Sequence, residues 1–165
     1  MAERALDLPD DKAERYAAVR NEIAAVIAGE RNVTARYASA ASLLAHAFPE
    51  RFFWTGFYLV DPEKPDELVV GPYQGTLGCL RIAIGKGVCG TAAAQRRTII
   101  VPDVHAFPGH IACDSRSNSE IVTPVFDRAG NLAGVLDVDS TLFDAFDAAD
   151  QEGLEAICGD LLTRP

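Results

Sequence analysis

At 165 residues, 48% hydrophobic and 24% charged, the chain has the make-up of one globular domain. A chain of that length buries roughly 70% of the surface its extended form exposes, so its core needs no disulfide or metal to hold it. The formal charge is −9 and no basic run exceeds Arg96-Arg97, which argues against nucleic acid and anionic membranes; no segment approaches the ~20 apolar residues of a membrane-spanning helix.

The opening Met-Ala-Glu-Arg lacks the character of a signal peptide, so the expectation is a cytoplasmic protein. Residues 1–10, polar and carrying Pro9, read as a loose lead-in. Residues 11–28 read as a helix, with Tyr16, Val19, Ile23, Val26 and Ile27 recurring at helical intervals and Gly29 ending it. A second helix follows Asn32, a natural N-cap, with Val33, Tyr37, Ala41, Leu44 and Phe48 on one stripe; Pro49 closes it. Both stripes suit helices covering a sheet. Residues 52–60 alternate in character and favour a strand. The turn from Asp61 to Asp66 leads to a second strand, Glu67 to Tyr73, which makes a hairpin. Trp54 in the first strand is core or site wall.

A glycine-rich loop, Gln74 to Cys79, precedes a short strand from Leu80 to Ile84. Gly85, Gly87 and Gly90 then satisfy the pattern G-x-G-x-x-G. A dinucleotide fold does not follow, because a helix from Thr91 to about Arg96 is too short for a parallel crossover and the upstream strands form a hairpin. What remains is a helix start whose unpaired amides suit a carboxylate or phosphate. Such a position would lower the pKa of Cys89, although Cys89 packed against the sheet fits the same residues.

Thr98 to Val101 forms a short strand that runs into the stretch His105 to Pro124. That stretch carries two histidines, a cysteine, two carboxylates, an asparagine and an arginine. Phe107-Pro108-Gly109 makes its first half a loop, and Ile121 and Val122 start a strand in its second. Cys113 therefore sits on a connection ahead of a strand, followed by Asp114, Ser115 and Arg116, where a reactive thiol can be presented on a rigid base. Cys158, in an apolar run, reads as core. Ser119 to Phe126 and Leu132 to Ser140 form another hairpin around a glycine turn. In the last strand Asp137 and Asp139 point to one face, opposite Leu136 and Val138. They belong to a solvated face or to a pocket that binds an ammonium or donates a proton. Phe143 to Leu162 closes the chain as a helix, with Leu154, Ile157, Cys158 and Leu161 inward. Terminal helices around mostly antiparallel hairpins give one α+β domain over residues 1–165.

Several chemistries can be built from these residues. His105, His110, Cys113 and Asp114 would make a metal site, but a second close-set pair is missing, so no metal is expected. A cysteine hydrolase pairing Cys113 with His105 or His110 has no local signature to support it. A thiol redox enzyme needs a nucleophilic thiolate, a resolving thiol and an acid; Cys113, Cys79 and the carboxylates Glu120, Asp137 and Asp139 supply these.

Taken together, Gly71 to Gly75, Cys79, Gly85 to Thr91, Asp103-Val104-His105, His110 to Asp114, Ser117 to Glu120 and Leu136 to Ser140 make the chain resemble the free methionine-(R)-sulfoxide reductases, stand-alone GAF-domain enzymes. The resemblance spans at least residues 50–140, and the flanking helices fit a GAF domain. It implies that Cys113 attacks the sulfoxide sulfur of free methionine sulfoxide and is left as a sulfenic acid. Cys79 then resolves it to a disulfide, and thioredoxin restores the dithiol, with no bound cofactor. It implies an auxiliary third thiol at Cys89, and a substrate pocket of Glu120, Asp137 and Asp139 that binds the ammonium and helps protonate the oxygen, with Trp54 as a wall for the S-methyl group. GAF domains frequently dimerise through their helices, so a homodimer is an expectation. The competing class is a small-ligand sensor, which would have no need of two thiols beside three carboxylates.

Overall fold

The computed structural model describes residues 8–165; the greater part of the expected lead-in, residues 1–7, lies outside the described residues. Two N-caps set the first helices. Asp11 accepts the Glu14 amide ahead of α1 (Lys12–Val26), and Asn32 accepts the Ala35 amide ahead of α2 (Val33–Ala47). The stripes predict their buried faces with one exception each: Val26 and Val33 lie exposed near helix ends. Then follow β1 (Trp54–Asp61), β2 (Lys64–Gln74), β3 (Arg81–Ala83), α3 (Gly87–Gln95), β4 (Ile99–Val101), a 3₁₀ turn (Val104–Ala106), β5 (Ser119–Phe126), β6 (Leu132–Ser140) and α4 (Ala148–Leu161). No described helix is long and apolar enough to cross a membrane.

The strands form one six-stranded sheet in the order β3-β2-β1-β6-β5-β4, with every neighbouring pair antiparallel. Because side chains alternate along each strand, each strand divides between two cores. Phe57, Ile121, Val125, Leu136 and Val138 face α1, α2 and α4, where Tyr16, Phe48 and Phe52 stack. Trp54, Tyr58, Val122 and Val135 face the other way, under α3 and the site loops.

Three elements start three or more residues from where the sequence places them, each for a local reason. The first hairpin turn is shorter: Asp61 accepts the Glu63 amide and pairs with Lys64, so β2 begins before Glu67. Helix α3 begins at Gly87 instead of Thr91. Gly85 and Gly87 adopt left-handed φ values of 90° and 59°, turning the chain so that Gly90 donates to the Lys86 carbonyl. A side chain at Gly90 would run into the Ala83 carbonyl. Helix α4 begins at Ala148 instead of Phe143, because Asp147 and Asp150 form a capping box there and Phe143 is left exposed in the preceding loop.

Candidate functional site

The site grows from a row across three central strands. Trp54 on β1 lies opposite Asp139 on β6, which lies opposite Glu120 on β5; one step along, Gly56 lies opposite Asp137. All these positions share the α3 face. Gly56 is required there, since a Cβ would approach the Trp54 ring to 2.8 Å. The Trp54 indole is buried, stacks between Tyr58 and Tyr73 at 5.7 and 5.1 Å, and donates to the Thr76 carbonyl at 2.8 Å. Trp54 is thus core and site wall at once.

Glu120 and Asp137 are buried, and Asp139 is partly so. No lysine or arginine bridges to any of the three among the described residues. Asp137 Oδ1 is buried without a hydrogen-bond partner. Burial raises the pKa of all three well above the carboxylate range, and each then feels a neighbour: Asp139 raises Glu120, Glu120 raises Asp137, and Asp137 raises Asp139. Burial thus favours the protonated form of each. The solvated-face reading of Asp137 is therefore wrong: α3 covers it.

Cys79 and Cys113, 34 residues apart, form a disulfide with a Cα–Cα distance of 5.3 Å. Their loops are also clasped by side chains. Thr76 donates to Asp114 at 2.8 Å, Asp114 binds the Arg116 guanidinium, and that guanidinium lies 4.8 Å above the Phe53 ring. Arg116 and Thr76 together hold the Asp114 carboxyl far below the usual range. Beneath the disulfide, Trp54, Tyr58, His110, Cys113, Asp137 and Asp139 line a cavity of about 30 Å³.

Cys89 also lies on this face, but its expected low pKa is overturned. The residue sits inside the first turn of α3, fully buried, with Asp137, Glu120 and Asp139 nearby. Burial and those carboxylates disfavour a thiolate and push the pKa well up. Its Sγ lies 3.9 Å from Glu120 Oε1. The metal set weighed from sequence is not gathered. Cys113 is in the disulfide, Asp114 is taken by Arg116, and His105 pairs with Asn118 at 3.1 Å. His110 instead meets Glu120, Nε2 to Oε2 at 3.5 Å, and burial lowers its pKa. Cys158 is buried among the helices.

From sequence, His110 was weighed only as a metal ligand or a hydrolase partner of Cys113, and Tyr58 was not assigned to the site. The signals were there: His110 shares the loop of Cys113, and Tyr58 lies four residues after Trp54, hence on the same strand face.

An antiparallel sheet covered by terminal helices, with loops that carry two joined thiols over a cluster of carboxyls, defines an α+β domain with a disulfide at its candidate site. The GAF domain profile matches residues 44–162. The chain is 49% identical over 146 residues to GAF domain-containing protein A of Dictyostelium discoideum, covering 88% of this chain and 89% of that one. It is 43% identical over 151 residues to the free methionine-R-sulfoxide reductase of Escherichia coli K12, covering 92% and 88%. The crystal structure of the Neisseria meningitidis free methionine-R-sulfoxide reductase with its substrate superposes with a TM-score of 0.89 at 46% identity, over 95% and 92% of the two chains. The chain belongs to the free methionine-R-sulfoxide reductase family of GAF domains.

Proposed function

We propose that the chain reduces free methionine (R)-sulfoxide to methionine, using its own thiols as the immediate electron source. The supporting observation is the Cys79–Cys113 disulfide set over a group of three carboxyls whose burial raises their pKa. With that disulfide reduced, the Cys113 thiolate attacks the sulfoxide sulfur while a carboxyl protonates the oxygen. Methionine leaves, and the oxygen remains on Cys113 as a sulfenic acid. The Cys79 thiol attacks that sulfur and expels water, and the disulfide results. An external dithiol protein of the thioredoxin class returns two electrons; no bound cofactor enters the cycle.

Selectivity for the free amino acid follows from charge. Asp137 Oδ1 has no partner in the protein, and a substrate ammonium would satisfy it; a peptide-bound residue brings no ammonium and leaves it bare. The start of α3, against Ile111, offers backbone amides to the substrate carboxylate. The cavity under the disulfide, about 30 Å³, has room for one or two waters and not for methionine sulfoxide. In this cycle the disulfide form is the end state, and its reduction frees the Cys79 and Cys113 loops to part and admit substrate. Single-turnover methionine release checks the roles. Cys113→Ser abolishes it, whereas Cys79→Ser releases one equivalent and then stops; equal loss of the first turnover in both variants refutes the assignment.

A further inference from the structure

Behind the disulfide, three side chains meet whose donor chemistry exceeds what holding an ammonium requires. Cys89 Sγ, one Glu120 oxygen and one Asp137 oxygen all lie within 4.8 Å of one another, on α3, β5 and β6. His110 Nε2 reaches the second Glu120 oxygen at 3.5 Å. Cys89 is 3% exposed, Glu120 5% and Asp137 6%, and Asp137 Oδ1 has no partner. We propose that Cys89, Glu120 and Asp137 form a three-donor binding site for one zinc-class divalent cation, with water in its fourth position, which blocks the pocket when bound.

The geometry suits such an ion. Bonds of about 2.3 Å to sulfur and about 2.1 Å to oxygen in a tetrahedron put neighbouring donors roughly 3.3–3.7 Å apart. The Cys89–Glu120 pair, at 3.9 Å, is nearly there already, and the widest separation closes by about 1 Å through side-chain rotation. A thiolate and two carboxylates with one position left to water select zinc or cobalt over magnesium and calcium, which take oxygen ligands in larger numbers. The charges also suit it: a divalent ion offsets two of the three negative charges the site would carry once Cys89, Glu120 and Asp137 lose their protons.

The cavity of about 30 Å³ under the disulfide is lined by Asp137 but by neither Cys89 nor Glu120, so the three donors meet behind its wall and share only Asp137 with it. They are gathered with the disulfide formed, so the oxidised protein keeps the ion site. In the reduced protein, ion and substrate ammonium compete for the same carboxylates.

The disulfide makes the test specific. In the oxidised full chain Cys79 and Cys113 carry no thiol, and Cys158 is buried on the opposite face of the sheet. Titration with cobalt(II) is expected to saturate at one equivalent with a thiolate-to-cobalt charge-transfer absorption, and zinc is expected to displace it. Cys89→Ser should abolish that absorption and weaken binding at least tenfold. Asp137→Asn should weaken binding to a similar degree while keeping the absorption, and Cys158→Ser should change neither. Circular dichroism of each variant verifies folding. Absence of the absorption in the native chain, its survival in Cys89→Ser, or cobalt affinity unchanged in both Cys89→Ser and Asp137→Asn overturns the site. None of these readings uses turnover, so the outcome is independent of the reductase assignment.

Discussion

Two buried aspartates, one on each face of the sheet, show how the same side chain serves opposite ends. Asp150, on the helical side, is fully buried and fully partnered. It accepts from the Tyr16 hydroxyl at 2.9 Å and from Lys12 and the Asp147 amide at 2.8 Å each, with Arg51 at 3.5 Å. Asp137, on the site side, is nearly as deep, has one oxygen with no partner, and stands among other carboxyls. Burial therefore does not mark a functional acid. The missing counter-charge does, because a protein that merely stored a carboxyl would not leave it bare.

Removing the partnered acid gives the largest expected effect on stability. Asp150→Ala takes a buried partner from Tyr16, Lys12 and Arg51 at once and should cost about 3–5 kcal/mol in urea unfolding. Methionine release per folded molecule should stay intact. A loss below about 1 kcal/mol would mean that Asp150 is no better compensated than Asp137, and the contrast would fail.

Neutralising the bare acid should act the other way. Asp137→Asn removes a group that must hold a proton to stay buried, so at pH 7.5 it should raise stability by about 1–3 kcal/mol while depressing turnover. The sign follows from the raised folded-state pKa. Stability from the protonated carboxyl is fully present below the unfolded value of about 3.9 and is lost as pH rises through the folded value. Native and variant curves should thus meet at low pH and diverge as pH climbs. Thermal unfolding between pH 3 and 8 measures it, and a native chain that gains on the variant with rising pH would refute a protonated Asp137.

Much of this arrangement is legible in the sequence, and its gaps have physical causes. The period-two alternation that sets Asp137 and Asp139 against Leu136 and Val138 survives folding, because an antiparallel sheet preserves it. The N-cap Asn32 and the strands β5 and β6 are likewise local signals. The environment of Cys89 was not local. A cysteine in the first turn of a helix reads as activated until the helix is packed on three carboxyls from strands 31 to 50 residues later, and tertiary burial then outweighs the helix dipole. His110 was missed as a neighbour of Glu120 for the same reason: their meeting depends on a loop fold that no periodicity encodes. The start of α4 slipped because Phe143 looked like a helix residue, while the capping box of Asp147 and Asp150 decided the boundary.

A third aspartate, at the rim, sets the smallest expected effect and the most sensitive check. Asp160 on α4 takes the Arg20 guanidinium of α1 through both oxygens, at 2.6 and 3.1 Å, and Arg164 at 3.0 Å. Arg20 is 40% exposed, so water and salt screen the pair, and Asp160→Asn should cost only about 0.2–1 kcal/mol. Raising the salt to 0.5 M should shrink that cost, because the Debye length then falls to roughly 4 Å. Its pH dependence should run opposite to that of Asp137. The arginines lower the Asp160 pKa against its burial, so its contribution is present above the unfolded value and fades as pH falls through the folded one. If Asp160→Asn instead cost as much as Asp150→Ala, exposure would not be what separates a strong carboxylate from a weak one. The number of cationic partners alone would then order all three aspartates, and the bare Asp137 would sit at the zero of that scale.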